Sequence, residues 1–170
     1  TRRSSDLAGL NLPSSASVIS SAFNPSDSTT YTASTSAVIY DSLGQSHTLT
    51  QYYAKTALDA TDSEATSTWK VYLYVDGQDA NSTAGTGTTL NFTNTGKLTS
   101  TSPTSITTSA MSMFTNGSDT AQTINLAFNP ITQFASGFQV TTMSQDGATV
   151  GQLTNVSIGN DGVVAATYSN

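Results

Sequence analysis

The residues best equipped for chemistry fall in one stretch, Val38-Ile39-Tyr40-Asp41-Ser42-Leu43-Gly44-Gln45-Ser46-His47-Thr48-Leu49, which holds an Asp, two Ser and the single His of the chain. These types could form a Ser-His-Asp relay, in which a base takes the proton of a nucleophilic hydroxyl and an acid orients the base. His47 is the one candidate base. Its surroundings carry neither a nucleophile elbow nor a Gly cluster to hold an oxyanion, so the residues point to a structural or surface histidine beside a polar turn.

Other chemistries meet similar obstacles. Asp59, Asp62 and Glu64, or Asp76 and Asp79, could offer oxygen atoms to calcium, but alternating ligands around a mid-loop Gly with a terminal bidentate Glu are missing. Paired carboxylates could hydrolyse glycosides only if they converged in a cleft, which spacing does not establish. Trp69, Tyr52, Tyr53, Tyr72 and Tyr74 could stack on sugars, yet Trp69 falls on the apolar side of its own alternation, where core packing is the simpler role. Gly85-Thr86-Gly87 lacks the Lys and the following helix of a phosphate loop. Four matches to the glycosylation sequon, at Asn81, Asn91, Asn116 and Asn155, are what a chain this rich in Ser and Thr produces by chance. With no cysteine, disulfides, thiolate nucleophiles and Cys-ligated metals are excluded. The expectation is no catalytic residue, no metal and no cofactor.

The elements that must position these residues are strands. Helical periodicity is broken by Gly, Pro and β-branched residues, whereas Trp69-Lys70-Val71-Tyr72-Leu73-Tyr74-Val75-Asp76 alternates, with Tyr72 and Tyr74 on the wetter face. Further strands are expected at 33–40, 46–55, 88–93, 122–128, 138–143, 149–158 and 163–168. Segment 76–89 reads as a long loop and 100–120 is not assigned. Strands of this number without helices between them predict an all-β fold, a single antiparallel β-barrel or β-sandwich domain built from hairpins. Residues 1–10 are expected to be a linker or an added remnant, and 11–170 the domain.

Four short segments share one pattern, a few polar or small residues closed by Gly between strand-like runs: Asp41–Gly44, Thr93–Gly96, Ser144–Gly147 and Gly159–Gly162. A type I turn followed by a left-handed residue makes this hairpin, and Gly takes the left-handed place because it has no Cβ to clash. Asp41, Gly44, Gly96, Gly147 and Gly162 are therefore expected to be structural turn residues, Asp41 as the carboxylate that caps the first turn. On this reading the opening stretch is a hairpin tip.

Bulk composition narrows the partners. The 170 residues carry a formal charge of -6, only 9% are charged, and roughly a third are Ser or Thr. A chain with five basic residues, two of them Arg2 and Arg3, assembles no basic patch, so neither nucleic acid nor a membrane surface is an expected partner. No apolar run is long enough for a spanning helix and no leader opens the chain, which is expected to be soluble.

The ordered set Val38-x-Tyr40-Asp41-Ser42-x-Gly44-x-x-His47-x-Leu49, Tyr52-x-x-Lys55, Trp69-x-Val71-Tyr72, Leu90-x-Phe92-x-x-x-Gly96-x-Leu98 and Asn160-Asp161-Gly162-Val163-Val164 with Tyr168-Ser169-Asn170 resembles the middle region of the bacterial flagellar hook protein family. Leu10-Asn11-Leu12 is similar to the point where that family's chain enters the region, so the resemblance covers 10–170. It implies the second, outer domain of a subunit of the hook, the universal joint between rotary motor and filament. It further implies an extracellular structural protein exported through the flagellar type III channel. Partners implied by the resemblance are neighbouring hook subunits and, for a full-length chain, the hook cap and hook-filament junction proteins; the isolated domain is expected to be a monomer. The rival reading is a secreted carbohydrate-binding or adhesin-like β-sandwich module.

Overall fold

A computed structural model describes residues 4–58, 67–146, 153–159 and 162–168. Among these residues eleven strands run in order β1 Ser4–Pro13, β2 Ala33–Tyr40, β3 Ser46–Leu58, β4 Ser67–Val75, β5 Gln78–Asp79, β6 Thr88–Phe92, β7 Ser105–Thr107, β8 Ile124–Phe134, β9 Gln139–Gln145, β10 Leu153–Ile158 and β11 Val164–Tyr168, with one short 3-10 helix at Ser28–Thr30. One sheet has the order β7-β8-β1-β9; a second has β2-β3-β4-β5 with β6 also on β4; β10 and β11 form a two-stranded ribbon. The fold is all-β.

The first two sheets enclose one apolar layer. Ala8, Leu10 and Leu12 of β1 with Ile124, Leu126 and Ile131 of β8 meet Ile39, Leu49, Tyr53, Trp69, Val71, Leu73, Val75, Leu90 and Phe92 from the five-stranded sheet. Alternation produces this layer directly: in β4 the residues Trp69, Val71, Leu73 and Val75 share one face and are all buried. Trp69 is core, as its position in the alternation predicts.

Three expectations need correction. Residues 4–10, read as a linker or remnant, belong to β1, which lies between β8 and β9. The Leu-Ala-Gly-Leu-Asn-Leu run is short and interrupted by Gly9, and its strand character comes from two neighbours more than a hundred residues away. The sheet is also not purely antiparallel, because β1 runs parallel to β8 and antiparallel to β9. Its register shifts where Gly9 faces the pair Asn129-Pro130, a bulge at the residue that has no N–H to give to the ladder. Finally, Tyr72 is buried, although its face of β4 reads as the wetter one. The segment between β1 and β2 crosses that face and stacks Phe23 on Tyr72 at 3.9 Å between ring centroids and 7° between planes. Phe23 also meets Tyr52 and Tyr74. Lys55 holds this crossing segment by donating its Nζ to the Ser14 carbonyl at 2.6 Å, and burial pushes its pKa down.

Segment 76–89 contains β5, and the unassigned segment 100–120 contains β7 with Ile106 and Met111 in the core. The expected strand at 149–158 is described from Leu153 on, and Gly147 lies outside the described residues.

Gly96 has φ of 76°, and a Cβ there would overlap the Gln133 carbonyl oxygen. Gly96→Ala is therefore expected to destabilise the fold by about 2 kcal/mol or more, through backbone strain and displacement of β8. Thermal unfolding of the variant measures this, and an unchanged midpoint would remove the close approach of the β6 turn to β8.

Candidate functional site

The β2–β3 tip is organised by one carboxylate. Asp41 Oδ1 accepts the N–H groups of Leu43 at 2.9 Å and Gln45 at 2.8 Å. The Asp41 N–H donates to Gln45 O and Gly44 N–H to Asp41 O, with Gly44 at φ of 80°. The same bonding pattern recurs at Thr93–Lys97 around Gly96 and at Gly159–Val163 around Gly162, whose φ values are 76° and 80°.

The tip is more than a solvated turn, because three segments converge on it. His47, nearly buried, lies between two carboxylates: Nδ1 is 2.6 Å from Asp76 Oδ2, and Nε2 is 3.4 Å from Asp41 Oδ2. Asp76 Oδ1 accepts the Thr48 N–H at 2.8 Å. Asp76 and Gly77 both have positive φ, 49° and 78°, and make a two-residue type I′ hairpin between β4 and β5. The loop before β8 is the third segment. Its Phe114 ring stacks on His47 at 3.8 Å and 14°. Asn116 Nδ2 donates to Asp41 Oδ2 at 2.5 Å and to Gln45 Oε1 at 2.7 Å, the Asp119 N–H to Ser42 Oγ, and Gln122 Nε2 to Tyr40 O.

Burial alone would push the Asp41 carboxyl up, but hydrogen bonds from Asn116, Gln45, His47 and Leu43 outweigh it and hold the group below the ordinary carboxylate value. Asp76 behaves likewise: burial raises it, and the Thr48 N–H with His47 brings it down. Both ring nitrogens of His47 pair with carboxylates and Ser42 Oγ accepts the Asp119 N–H, so the ring is not paired with a serine hydroxyl. The arrangement clasps three loops together.

Asp76 is engaged by His47 and the Thr48 N–H and is not joined to Asp79. Asp79 instead accepts the Asn81 N–H, the Asn81 side chain and the Gly85 N–H. Among the described residues no group of three or more His, Asp or Glu could hold a metal ion, and Asp59, Asp62 and Glu64 lie outside them. Asp76 and Asn116 are the residues that sequence reasoning missed as members of this cluster. The Asp-Gly dipeptide after the alternating β4 run was a usable signal for the first; nothing local marks the second. Beside the clasp opens a cleft of about 190 Å3, lined in part by Gln45, His47, Asp76, Met113, Phe114 and Asn116.

Two packed β-sheets whose polar cluster ties turns to one another define a β-rich structural module. The chain belongs to the flagellar basal body protein FlaE D2 domain family, whose model matches residues 11–148. It is 35% identical over 151 residues to the flagellar hook protein FlgE of Salmonella typhimurium, covering 87% of this chain and 34% of that one. Against the Escherichia coli K12 flagellar hook protein FlgE it is 32% identical over 150 residues, again covering 87% and 34%. The chain thus spans about a third of the length of the curated relatives it matches. Among solved structures, a 32 kDa fragment of the flagellar hook protein FlgE from Caulobacter crescentus aligns with a TM-score of 0.42 at 17% identity, covering 66% of this chain and 46% of that chain.

Asp41→Ala removes the acceptor of two backbone caps and leaves Asn116 and His47 short of a partner; a loss of about 2 to 4 kcal/mol is expected, read as a fall in the unfolding midpoint. The pH dependence follows from the two depressed carboxyls. Their stabilisation is complete above the ordinary carboxylate range and is lost as pH falls through the lower folded values. The unfolding midpoint should accordingly fall between about pH 5 and about pH 2, less steeply in Asp41→Asn. Parallel pH profiles for the two proteins would refute the clasp.

Proposed function

We propose that this chain is the outer middle domain of a flagellar hook subunit, structural and without catalysis, in the extracellular joint between motor and filament. The observation that carries the reading is the family match over residues 11–148 together with 35% identity to a flagellar hook protein across most of the chain. A cysteine-free chain needs no oxidative folding after export, and a surface with few charges offers neighbouring copies contacts that part without breaking strong ion pairs. The turn residues Asp41, Gly44, Gly96 and Gly162 serve this role as structural positions. In the full-length chain the partners are neighbouring hook subunits together with the hook cap and hook-filament junction proteins.

A carbohydrate-binding module is disfavoured by the family match and by the tyrosine face itself. Phe23 covers the Tyr72 ring, and a Cβ at Gly87 would come within 2.8 Å of it, so that ring presents no open platform to a sugar.

The test is electron microscopy of cells in which the segment equivalent to residues 11–170 is deleted in frame, with swimming recorded alongside. Thin, straight or missing hooks with impaired motility are expected; normal hooks and normal swimming would overturn the reading.

A further inference from the structure

The loop before β8 carries the one Asn-Gly pair of the chain, Asn116-Gly117; every other asparagine with a successor is followed by a residue that has a side chain. Asparagine before glycine is the pair most prone to lose its amide in water, because the next backbone nitrogen is unshielded and the chain around it turns freely. Gly117 is exposed, has φ of 87°, and a Cβ there would meet nothing within 4 Å, so the space around it is open.

The chemistry is intramolecular and consumes only water. The Gly117 nitrogen gives its proton to solvent and bonds to Asn116 Cγ; the Cγ–Nδ2 bond breaks, and ammonia leaves with a proton taken from water. Water then opens the resulting succinimide. Opening at Cγ leaves aspartate at position 116, and opening at the main-chain carbonyl leaves isoaspartate. The sum is amide plus water to carboxyl plus ammonia, with no change of oxidation state.

In the folded chain the amide is held off this path. Asn116 Nδ2 donates to Asp41 Oδ2 at 2.5 Å and to Gln45 Oε1 at 2.7 Å, and Oδ1 accepts the Ser118 N–H at 3.1 Å. The two donated bonds reach the β2–β3 tip, 75 and 71 positions earlier in the chain, so turning Cγ onto the Gly117 nitrogen gives them up and frees the loop from the tip.

We propose that Asn116 is a site of spontaneous deamidation guarded by the clasp: the amide survives while the loop is docked, converts when the loop is free, and the product keeps the loop from docking again. The last step follows from charge and hydrogen count. A carboxylate at position 116 brings no proton to Asp41 Oδ2 or Gln45 Oε1, and it sets a second negative charge against the fully buried Asp41 side chain. His47 does not compensate, being shared already between Asp41 and Asp76. Isoaspartate also lengthens the main chain by a methylene, which draws the Asp119 N–H off Ser42 Oγ. The change is irreversible, so it accumulates in whatever fraction of chains waits unfolded or half-docked.

The purified chain is incubated in mildly alkaline buffer, native and in urea, and mass spectrometry follows the loss of the amide in the peptide that contains Asn116. Conversion is expected in urea, and about tenfold or more slower in the native chain, where two hydrogen bonds, one of them to a carboxylate, must break first. Gln45→Ala, at an exposed position, removes one of them and is expected to speed native conversion about threefold. Asn116→Asp is expected to unfold at a lower temperature than Asn116→Ala, which removes the same bonds without adding charge. No conversion in urea, native protection below tenfold, a Gln45→Ala rate no faster than the parent, or an Asn116→Asp midpoint no lower than that of Asn116→Ala each overturns the proposal. The assay reads the chain's own chemistry and the deletion experiment reads cells, so either can fail while the other stands.

Discussion

The position of β1 between β8 and β9 governs the rest of the architecture. Without β1, those two strands have no common partner, and Ala8, Leu10 and Leu12 are missing from the layer that Trp69, Val71 and Leu73 face. Asn11 adds a polar lock at the same place: its Oδ1 accepts the Phe134 N–H at 2.9 Å and its Nδ2 donates to Ser136. Apolar burial on one sheet and hydrogen bonding along the other thus depend on a strand from the beginning of the chain reaching its far part.

A second dependence runs through Asp41. A single carboxylate caps its own turn, receives Asn116 and faces His47, so the β2–β3 tip, the β4–β5 turn and the loop before β8 share one polar centre. In a chain where only 9% of residues are charged, concentrating carboxylates and imidazole at this junction leaves much of the remaining surface to hydroxyls. Because Asp41 Oδ2 is met from the loop before β8 and His47 from the β4–β5 turn, the cluster acts as a positional lock: moving either loop strands a partner in a nearly buried site.

Most of the five-stranded sheet was legible because its information is local. Alternation in β4 separates Trp69 from Tyr72 within a few residues, and a Gly in the left-handed region is needed wherever a three-residue turn joins two strands. What was not legible is non-local. β1 is a strand because of partners more than a hundred positions away, and Phe23 covers Tyr72 from 49 positions upstream. His47 was visible as the only imidazole, and Asp41 as a turn cap. Their joint role depended on β4 delivering Asp76 to the same spot: the Asp-Gly dipeptide marks a turn, but only the pairing of β3 with β4 brings that turn to His47. A triad-like cluster of residue types thus became a clasp once register placed carboxylates on both sides of the ring.

The separation between β1 and its partners also orders folding in time. The five-stranded sheet is complete within residues 33–92, from hairpin-scale contacts that close quickly, whereas the sheet around β1 needs Asn11 to find Ser136 across 125 positions. A chain threaded through a narrow conduit with its amino end leading would emerge with β1 unpaired and wait for β8 and β9 before that sheet could form. Under such delivery the sandwich would be completed only once nearly the whole domain had emerged, with β1 lacking both sheet partners until then.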